Sequence, residues 1–363
     1  MTPRVLVMAG GTGGHIFPAL AIAEHLRADG IEVHWLGAFN GMEEQLVPQY
    51  EFPLHLIPVS ALLGGNFLRK IRFPLNLIRA LFATRKVFKT LDPDVVVGFG
   101  GYASGPGGLV AKMSGVPLVL HEQNAVVGLT NRLLSRFANC VIEAFPGSFD
   151  SSVRALSLGN PVRKSVIASS EIQRKPEGLK RILILGGSLG AVQLNELVPA
   201  ALAELPEEIR PEIRHQTGKN KDQPTELLYK NLDVKAEVCA FITDMAEAYS
   251  WADLVICRSG ASTVSELAVM GKPAIFFPYP WHKDRQQYIN ADYLAETKAA
   301  LVIDENAQSQ QLLVDSLHRL IREPERLAQM AKLTKEKGLP NSVSDICRQI
   351  TDFIPQNDGS SRV

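Results

Sequence analysis

Cysteine is scarce in this chain: there are four in 363 residues, Cys140, Cys239, Cys257 and Cys347, far apart and with no CxxC pair. Such a set excludes a disulfide framework and offers no structural zinc site; it fits a reducing cytoplasm. An excess of either charge is missing as well, since Lys+Arg 38 balances Asp+Glu 38. A chain without net charge is no whole-surface nucleic-acid binder, and no nucleic-acid partner is expected. Nor is there an apolar run fit to cross a membrane. The uncharged stretch after Arg4 is broken by Gly10-Gly11-Thr12-Gly13-Gly14-His15, where a signal peptide needs a continuous apolar core. Residues 95–120 carry one charge, Lys112, but seven glycines and two prolines, so they cannot stay helical across lipid. The P-loop pattern GxxxxGK[ST] is absent too, which excludes that class of ATPase.

What is present is 46% hydrophobic and 21% charged, the composition of a globular protein. Its length suggests two domains at about 150 residues each. Apolar runs alternate with helix-period segments. Strands are expected over 5–9, 32–36, 55–59, 95–99, 118–121 and 141–144, with helices over 15–27, 67–89 and 124–136 between them. A second series has strands over 181–185, 213–216, 236–240, 254–257 and 274–277, and helices over 191–204 and 261–270. These strands lack strict alternation, as expected where helices cover both faces of a parallel sheet. Because the series starts again midway, the fold class is α/β, with two doubly wound, Rossmann-like domains. The polar stretch 169–178 reads as the join. A last helix is expected from Asn341-Ser342, with Val343, Ile346, Ile350 and Ile354 at helical spacing, followed by a disordered tail over 356–363.

Glycine-rich turns follow four of the strands, at residues 10–14, 98–108, 186–190 and 258–261. Three run directly into a helix, whose free N–H groups and positive dipole end suit an anion, each end being worth about 0.3–1 kcal/mol. One such turn needs no ligand to explain it. Four in two similar domains point to a ligand at the carboxyl ends of both sheets, between the domains. The nicotinamide fingerprint fails, because Ile16 stands where its third glycine belongs and Leu36-Gly37-Ala38 ends the second strand without an acid for a ribose. Asp92-Pro93-Asp94 resembles a metal-binding DxD but precedes its strand, at the wrong end of the sheet. Neither a metal nor a cofactor is expected.

The residues become specific as an ordered set. Gly10-Gly11-Thr12-Gly13-Gly14-His15-Ile16-Phe17-Pro18-Ala19, Phe99-Gly100-Gly101-Tyr102, His121-Glu122-Gln123-Asn124 and Gly159-Asn160-Pro161-Val162-Arg163 come first. Gly186-Gly187-Ser188, Arg258-Ser259-Gly260-Ala261 through Ser265-Glu266, and His282-Lys283-Asp284-Arg285-Gln286-Gln287 follow. In this order they resemble the family of N-acetylglucosaminyltransferases that convert lipid I to lipid II in peptidoglycan synthesis, over nearly the whole chain. The resemblance implies the two-domain GT-B fold with its active site in the cleft between domains. Residues 1–165 would face the acceptor and the membrane, rejoined by the helix 341–355, and 166–340 would bind UDP-GlcNAc. Two departures lie near the donor site: Leu189 where the family commonly has glutamine, and Pro280-Trp281 in a lengthened loop.

The same resemblance assigns roles. Glu266 would accept both ribose hydroxyls, as a carboxylate can. Ser262 and Thr263 at the helix start, with Ser188, would offer hydroxyls and backbone N–H groups to the pyrophosphate, and Ala261, Val264 and Ser265 belong to the same substrate-binding stretch. Ile242 would meet uracil through its backbone, Gln287 and Asn124 would bond sugar hydroxyls, and Thr12, Gly13 and Gly14 would line the first glycine turn. Arg163 would neutralise the leaving UDP. The acceptor, lipid I, must attack the anomeric carbon in line, helped by a general base worth typically about 10²–10⁴-fold. Two candidates stand: His15, an imidazole that ordinarily titrates near about 6.5, and Glu122 at a strand end. The same fold could instead carry a UDP-sugar epimerase; a non-enzymatic membrane-surface adaptor is the reading from a different class.

One stretch suits a membrane surface. From Phe52 to Leu91 there is no acidic residue, while Arg69, Lys70, Arg72, Arg79, Arg85, Lys86 and Lys89 are interleaved with Leu62, Leu63, Phe67, Leu68, Ile71, Phe73, Leu75, Ile78 and Phe82. Pro74 is expected to break or kink the segment, leaving a loop and a short helix. Basic residues near an anionic leaflet are worth about 1 kcal/mol each. Peripheral binding to the cytoplasmic face of the inner membrane is therefore expected, with Phe67, Arg69, Lys70, Arg72, Arg79 and Phe82 at the contact.

Overall fold

The computed structural model describes residues 2–59, 67–172, 177–187, 190–282 and 284–355, with residues 67–74 described in their backbone alone. Ser188, Leu189 and the tail 356–363 lie outside the described residues. Two compact units emerge, Met1–Pro161 with Asn341–Val363, and Val162–Pro340.

The first unit runs β1 (Arg4–Met8), α1 (Gly13–Ala28), β2 (Glu32–Ala38), α2 (Met42–Leu46), β3 (Leu54–Ile57), α3 (Phe67–Leu91), β4 (Val95–Gly98), α4 (Ser104–Ser114), β5 (Leu118–Glu122), α5 (Leu129–Leu134), β6 (Cys140–Glu143) and β7 (Leu156–Ser157). Its sheet is parallel, in the order β3-β2-β1-β4-β5-β6-β7. The two-residue period of β1 sends Val5 and Val7 to one face, against Ile16 and Ile22, and Leu6 and Met8 to the other, against Phe88 and Val110. Both faces are dry, which is why the sequence shows no alternation.

The second unit runs α6 (Lys164–Ser170), β8 (Arg181–Leu185), α7 (Val192–Ala203), β9 (Glu212–Gln216), α8 (Asp222–Asn231), β10 (Glu237–Cys239), α9 (Met245–Trp251), β11 (Leu254–Cys257), α10 (Ala261–Met270), β12 (Ala274–Phe276), α11 (Gln286–Ala295), β13 (Ala300–Val302), α12 (Ser309–Arg322) and α13 (Pro324–Glu336). The sheet order is β10-β9-β8-β11-β12-β13, again parallel. A last helix, α14 (Ser342–Thr351), returns to the first unit and buries Val343, Ile346, Cys347 and Ile350 in the same core as α1. Each fully buried side chain of this kind is worth about 1.5–3 kcal/mol.

Four expectations change. The helix expected over 124–136 shrinks to α5, because the Glu122 carboxylate takes the N–H groups of Asn124 and Gly128 and holds the chain in a loop. No break occurs at Pro74: α3 is continuous, anchored by buried Ala80, Phe88 and Leu91, and packing outweighs the local proline penalty. The join expected over 169–178 comes earlier, after Pro161: α6, which packs on α9 and α10, already belongs to the second unit. Finally, the two-residue β7 and the three-residue β13 were not anticipated.

Candidate active site

In each sheet the strand order reverses once, between β1 and β4 and between β8 and β11, and the glycine turns follow these four strands. Ligands of open α/β sheets bind at such points, beyond the carboxyl ends of the strands. In the first unit Gly11 and Gly101 take left-handed backbones, φ +92° and +80°. A Cβ on Gly101 would lie 2.4 Å from the Gly10 carbonyl oxygen, so glycine is what lets the two turns touch. Thr12 stands at the N-cap of α1 with an extended backbone, and its carbonyl accepts the N–H groups of His15 and Ile16 at 3.1 and 3.2 Å. Gly13, Gly14 and His15 form the first helical turn.

Beneath this turn sits Glu43, fully buried and brought in by α2. Its Oε2 accepts the Gly11 N–H at 3.0 Å and its Oε1 the Ala38 N–H at 2.9 Å. A Cβ on Gly10, Gly37 or Gly41 would overlap the Glu43 side chain. The acid missing from the end of β2 in sequence is thus supplied by the next helix, and it binds backbone there.

The two candidate bases diverge. His15 Nδ1 lies 2.7 Å from Gln123 Oε1. Gln123 in turn donates through Nε2 to the His121 carbonyl at 2.9 Å and lies 2.9 Å from His121 Nδ1. His121 Nε2 is 2.9 Å from the Gly159 carbonyl oxygen, and Asn160 Nδ2 donates to the Gln123 carbonyl at 2.9 Å. Burial pushes the His121 ring down to about 4, so it is neutral at ordinary pH. Glu122 faces inward instead, only 2% exposed. Its Oε1 accepts from the Asn124 N–H at 3.1 Å and Asn124 Nδ2 at 3.3 Å, its Oε2 from the Gly128 N–H at 3.1 Å and Asn131 Nδ2 at 3.0 Å. Four donors among the described residues meet this carboxylate, which closes the loop after β5 and takes one N–H of the Asn124 side-chain amide as well.

In the second unit, Gly260 caps α10, and Ala261, Ser262 and Thr263 carry the N–H groups that a helix start leaves without intrahelical partners. Val264 is fully buried among core residues and serves packing, whereas Ser262, Thr263 and Ser265 are half-buried. Glu266, one turn further on, is a meeting point. Arg163, at the N-cap of α6, donates from Nε and Nη2 to Glu266 Oε1 at 3.1 and 2.8 Å, and Tyr249 of α9 donates its hydroxyl to Oε2 at 2.9 Å. Burial first, and the Glu266 charge next, push the Tyr249 hydroxyl well above the usual tyrosine range, so it stays a donor. The Ile242 N–H donates to Gln216 Oε1 at 3.1 Å, and Gln216 Nε2 donates to the Gly187 carbonyl at 3.3 Å, which ties the end of β9 to both flanking loops. Gln287 Oε1 accepts the Tyr279 N–H at 2.9 Å. Arg258 donates to the Phe277 carbonyl at 2.8 Å and pairs with Glu305, bracing the ends of β12 and β13.

The side chains of Phe67, Arg69, Lys70 and Arg72 lie outside the described residues. Arg79 and Phe82 are exposed on α3, Phe82 at 71%, beside exposed Leu75, Ile78, Arg85 and Lys86. α4 packs against α3 and adds exposed Leu109, Lys112 and Met113, the last at 70%, while α5 packs on α4 and adds Leu129 and Leu133. No helix among the described residues is long and apolar enough to cross a membrane. Glu43, Gln123, Tyr249 and Gln216 were not marked in the sequence as site residues. Gln123 had a signal, since it stands within a motif just after β5, and Gln216 had only its place at the carboxyl end of β9; Tyr249 sits on a different helix from the Glu266 it serves and had none.

Two doubly wound parallel units in one chain are the GT-B architecture of nucleotide-sugar glycosyltransferases. Residues 5–143 match the glycosyltransferase family 28 N-terminal domain and residues 181–346 the glycosyltransferase family 28 C-terminal domain. The chain belongs to glycosyltransferase family 28. It is 47% identical over 353 residues, 96% of this chain and 99% of the relative, to the UDP-N-acetylglucosamine--N-acetylmuramyl-(pentapeptide) pyrophosphoryl-undecaprenol N-acetylglucosamine transferase of Pseudomonas syringae pv. tomato. The protein of the same name from Stutzerimonas stutzeri is 48% identical over 353 residues, 96% of this chain and 99% of the relative. The crystal structure of Acinetobacter baumannii MurG superposes with a TM-score of 0.83 at 38% identity, covering 96% of this chain and 99% of that one. A UDP-GlcNAc 2-epimerase from Neisseria meningitidis, covering 96% of this chain and 100% of that one, reaches 0.67 at 15% identity and shares the fold alone.

Proposed function

We propose that this chain transfers N-acetylglucosamine from UDP-N-acetylglucosamine to the MurNAc 4-hydroxyl of MurNAc-(pentapeptide) pyrophosphoryl-undecaprenol, with inversion, turning lipid I into lipid II. Relatives named for that transfer, 47 and 48% identical over 96% of the chain, support the reading. The structural observation that carries it is Glu266, a carboxylate oriented by Tyr249 and Arg163 one turn beyond a helix start at the switch point of the second sheet. Ribose hydroxyls take the place of Arg163 on Glu266 when the donor binds, and the freed guanidinium turns to the diphosphate, whose charge grows as the sugar leaves. Ser262, Thr263 and the α10 N–H groups hold the same diphosphate, the Ile242 backbone and Gln287 contact base and sugar, and Thr12, Gly13 and Gly14 hold the acceptor. His15, whose partners leave one ring nitrogen for the substrate, takes the proton; Glu122 does not.

The exposed apolar residues of α3, α4 and α5, fringed by Arg79, Arg85, Lys86 and Lys112, rest on the cytoplasmic leaflet and give access to the lipid-linked acceptor. The test follows the sugar: label from UDP-[¹⁴C]GlcNAc must move into an organic-soluble product when a lipid-linked MurNAc acceptor is present. Label that stays water-soluble as an epimerised nucleotide sugar, or stays on the unchanged donor, refutes the proposal.

A further inference from the structure

The hydrogen bonds around His15 have a direction, and a backbone carbonyl sets it. The Gly159 carbonyl can only accept, so the His121 nitrogen 2.9 Å from it, Nε2, carries the proton of the neutral ring. His121 Nδ1 is then a bare lone pair, facing Gln123 Nε2 at 2.9 Å. That Gln123 nitrogen also meets the His121 carbonyl oxygen at 2.9 Å, a second acceptor, so it is the amide NH₂ and both its protons are used. The amide oxygen Oε1 is thereby turned to His15, 2.7 Å from Nδ1. An amide oxygen only accepts, so His15 Nδ1 holds a proton in every protonation state of the ring.

We propose that Gln123 and His121 are positioning residues that lock neutral His15 as its Nδ1–H tautomer and leave Nε2 as the lone pair that receives the acceptor hydroxyl's proton. The second half rests on the transfer reaction given above. In that step the hydroxyl oxygen bonds to the anomeric carbon, its proton passes to His15 Nε2, and the bond from that carbon to the diphosphate oxygen breaks with its electron pair leaving on the nucleoside diphosphate. An unconstrained imidazole in water prefers the opposite tautomer, so the lock changes what His15 can do. A histidine in the wrong tautomer is a poor base. Burial, which keeps the His121 ring neutral down to about pH 4, makes the chain of donors persist across the working range. Titratable groups on neighbouring elements include Glu122 on β5, closed on its own loop, Glu43 from α2, closed on Gly11 and Ala38, and Tyr102, whose ring lies beside Gly11.

The experiment is long-range ¹H–¹⁵N correlation on the full chain labelled at histidine ring nitrogens, with the His15 signals assigned by their loss in His15→Asn. Neutral His15 should show a protonated Nδ1 and a bare Nε2; a bare Nδ1, or an even mixture, overturns the proposal. Gln123→Met should shift His15 toward the Nε2–H form and lower kcat by about tenfold or more while both KM values stay within about threefold. A Gln123→Met protein whose His15 keeps the parent tautomer also overturns it. If Nδ1–H is found but His15→Ala turns over like the parent, the lock stands and the proton-accepting half falls.

Discussion

Replacing Glu266 by alanine separates the two things its carboxylate does. In the folded chain it accepts the Tyr249 hydroxyl at 2.9 Å and two Arg163 nitrogens at 3.1 and 2.8 Å. Arg163 is half exposed and can return to water, so its loss of a partner costs little. Tyr249 cannot, because its ring and hydroxyl are among the most deeply buried in the second unit. Orphaning that hydroxyl costs about 1–3 kcal/mol, which lowers the melting temperature by roughly 2–12 °C for a unit of this size. Separately, hydrogen bonds from the donor to a charged acceptor are worth about 1.5–3 kcal/mol, so KM for UDP-GlcNAc should rise roughly 10- to 100-fold. The assay is steady-state kinetics at saturating acceptor beside a thermal melt, on Glu266→Ala and on Glu266→Ala with Tyr249→Phe. Removing the orphaned hydroxyl in the double variant should recover most of the melting temperature and none of the KM. A donor KM unchanged in the folded Glu266→Ala protein would refute the placement of the ribose. Equal melting temperatures for the single and double variants would refute the cost assigned to Tyr249.

His15→Ala should lower kcat by about 10²-fold or more with small changes in either KM, and the pH–rate profile should lose its ascending limb; a kcat within about threefold of the parent ends the base assignment. Stability should fall on acidification, because buried His121 and His215 bind protons in the unfolded chain below about 6.5 and in the folded one only near about 4 and about 3. The unfolded state thus holds more protons across that window, roughly 3 kcal/mol is lost between pH 6.5 and 4 from His121 alone, and denaturant melts at pH 7 and 4.5 should show it, with a smaller difference in His121→Gln and His215→Gln. On vesicles containing anionic lipid, Arg79, Arg85 and Lys86 changed together to Gln should weaken binding roughly 100-fold, at about 1 kcal/mol each. Sedimentation like that of the parent would move the membrane face off α3.

Hydrophobic patterning and glycine placement settled the class of fold without help. A run such as Val5-Leu6-Val7-Met8, apolar at every position, has to be a strand covered on both faces, and turns as glycine-rich as residues 10–14 after such strands have to lie at the carboxyl end of a sheet. The ordered motifs carried the family for the same reason: residues that act together from one short segment, such as 262–266 along one helix start, leave local patterns. Contacts between distant segments leave none. Glu43 reaches the first glycine turn from across β2, Tyr249 reaches Glu266 from the preceding helix, and α14 closes the first core from the far end of the chain. The sequence offered His15 first and Glu122 second, both being titratable residues at the right end of the same sheet. The folded backbone gives them different surroundings, closing donors around Glu122 and turning an amide oxygen toward His15, because the direction of a hydrogen bond is fixed by which atoms the chain brings within reach and not by their order along it.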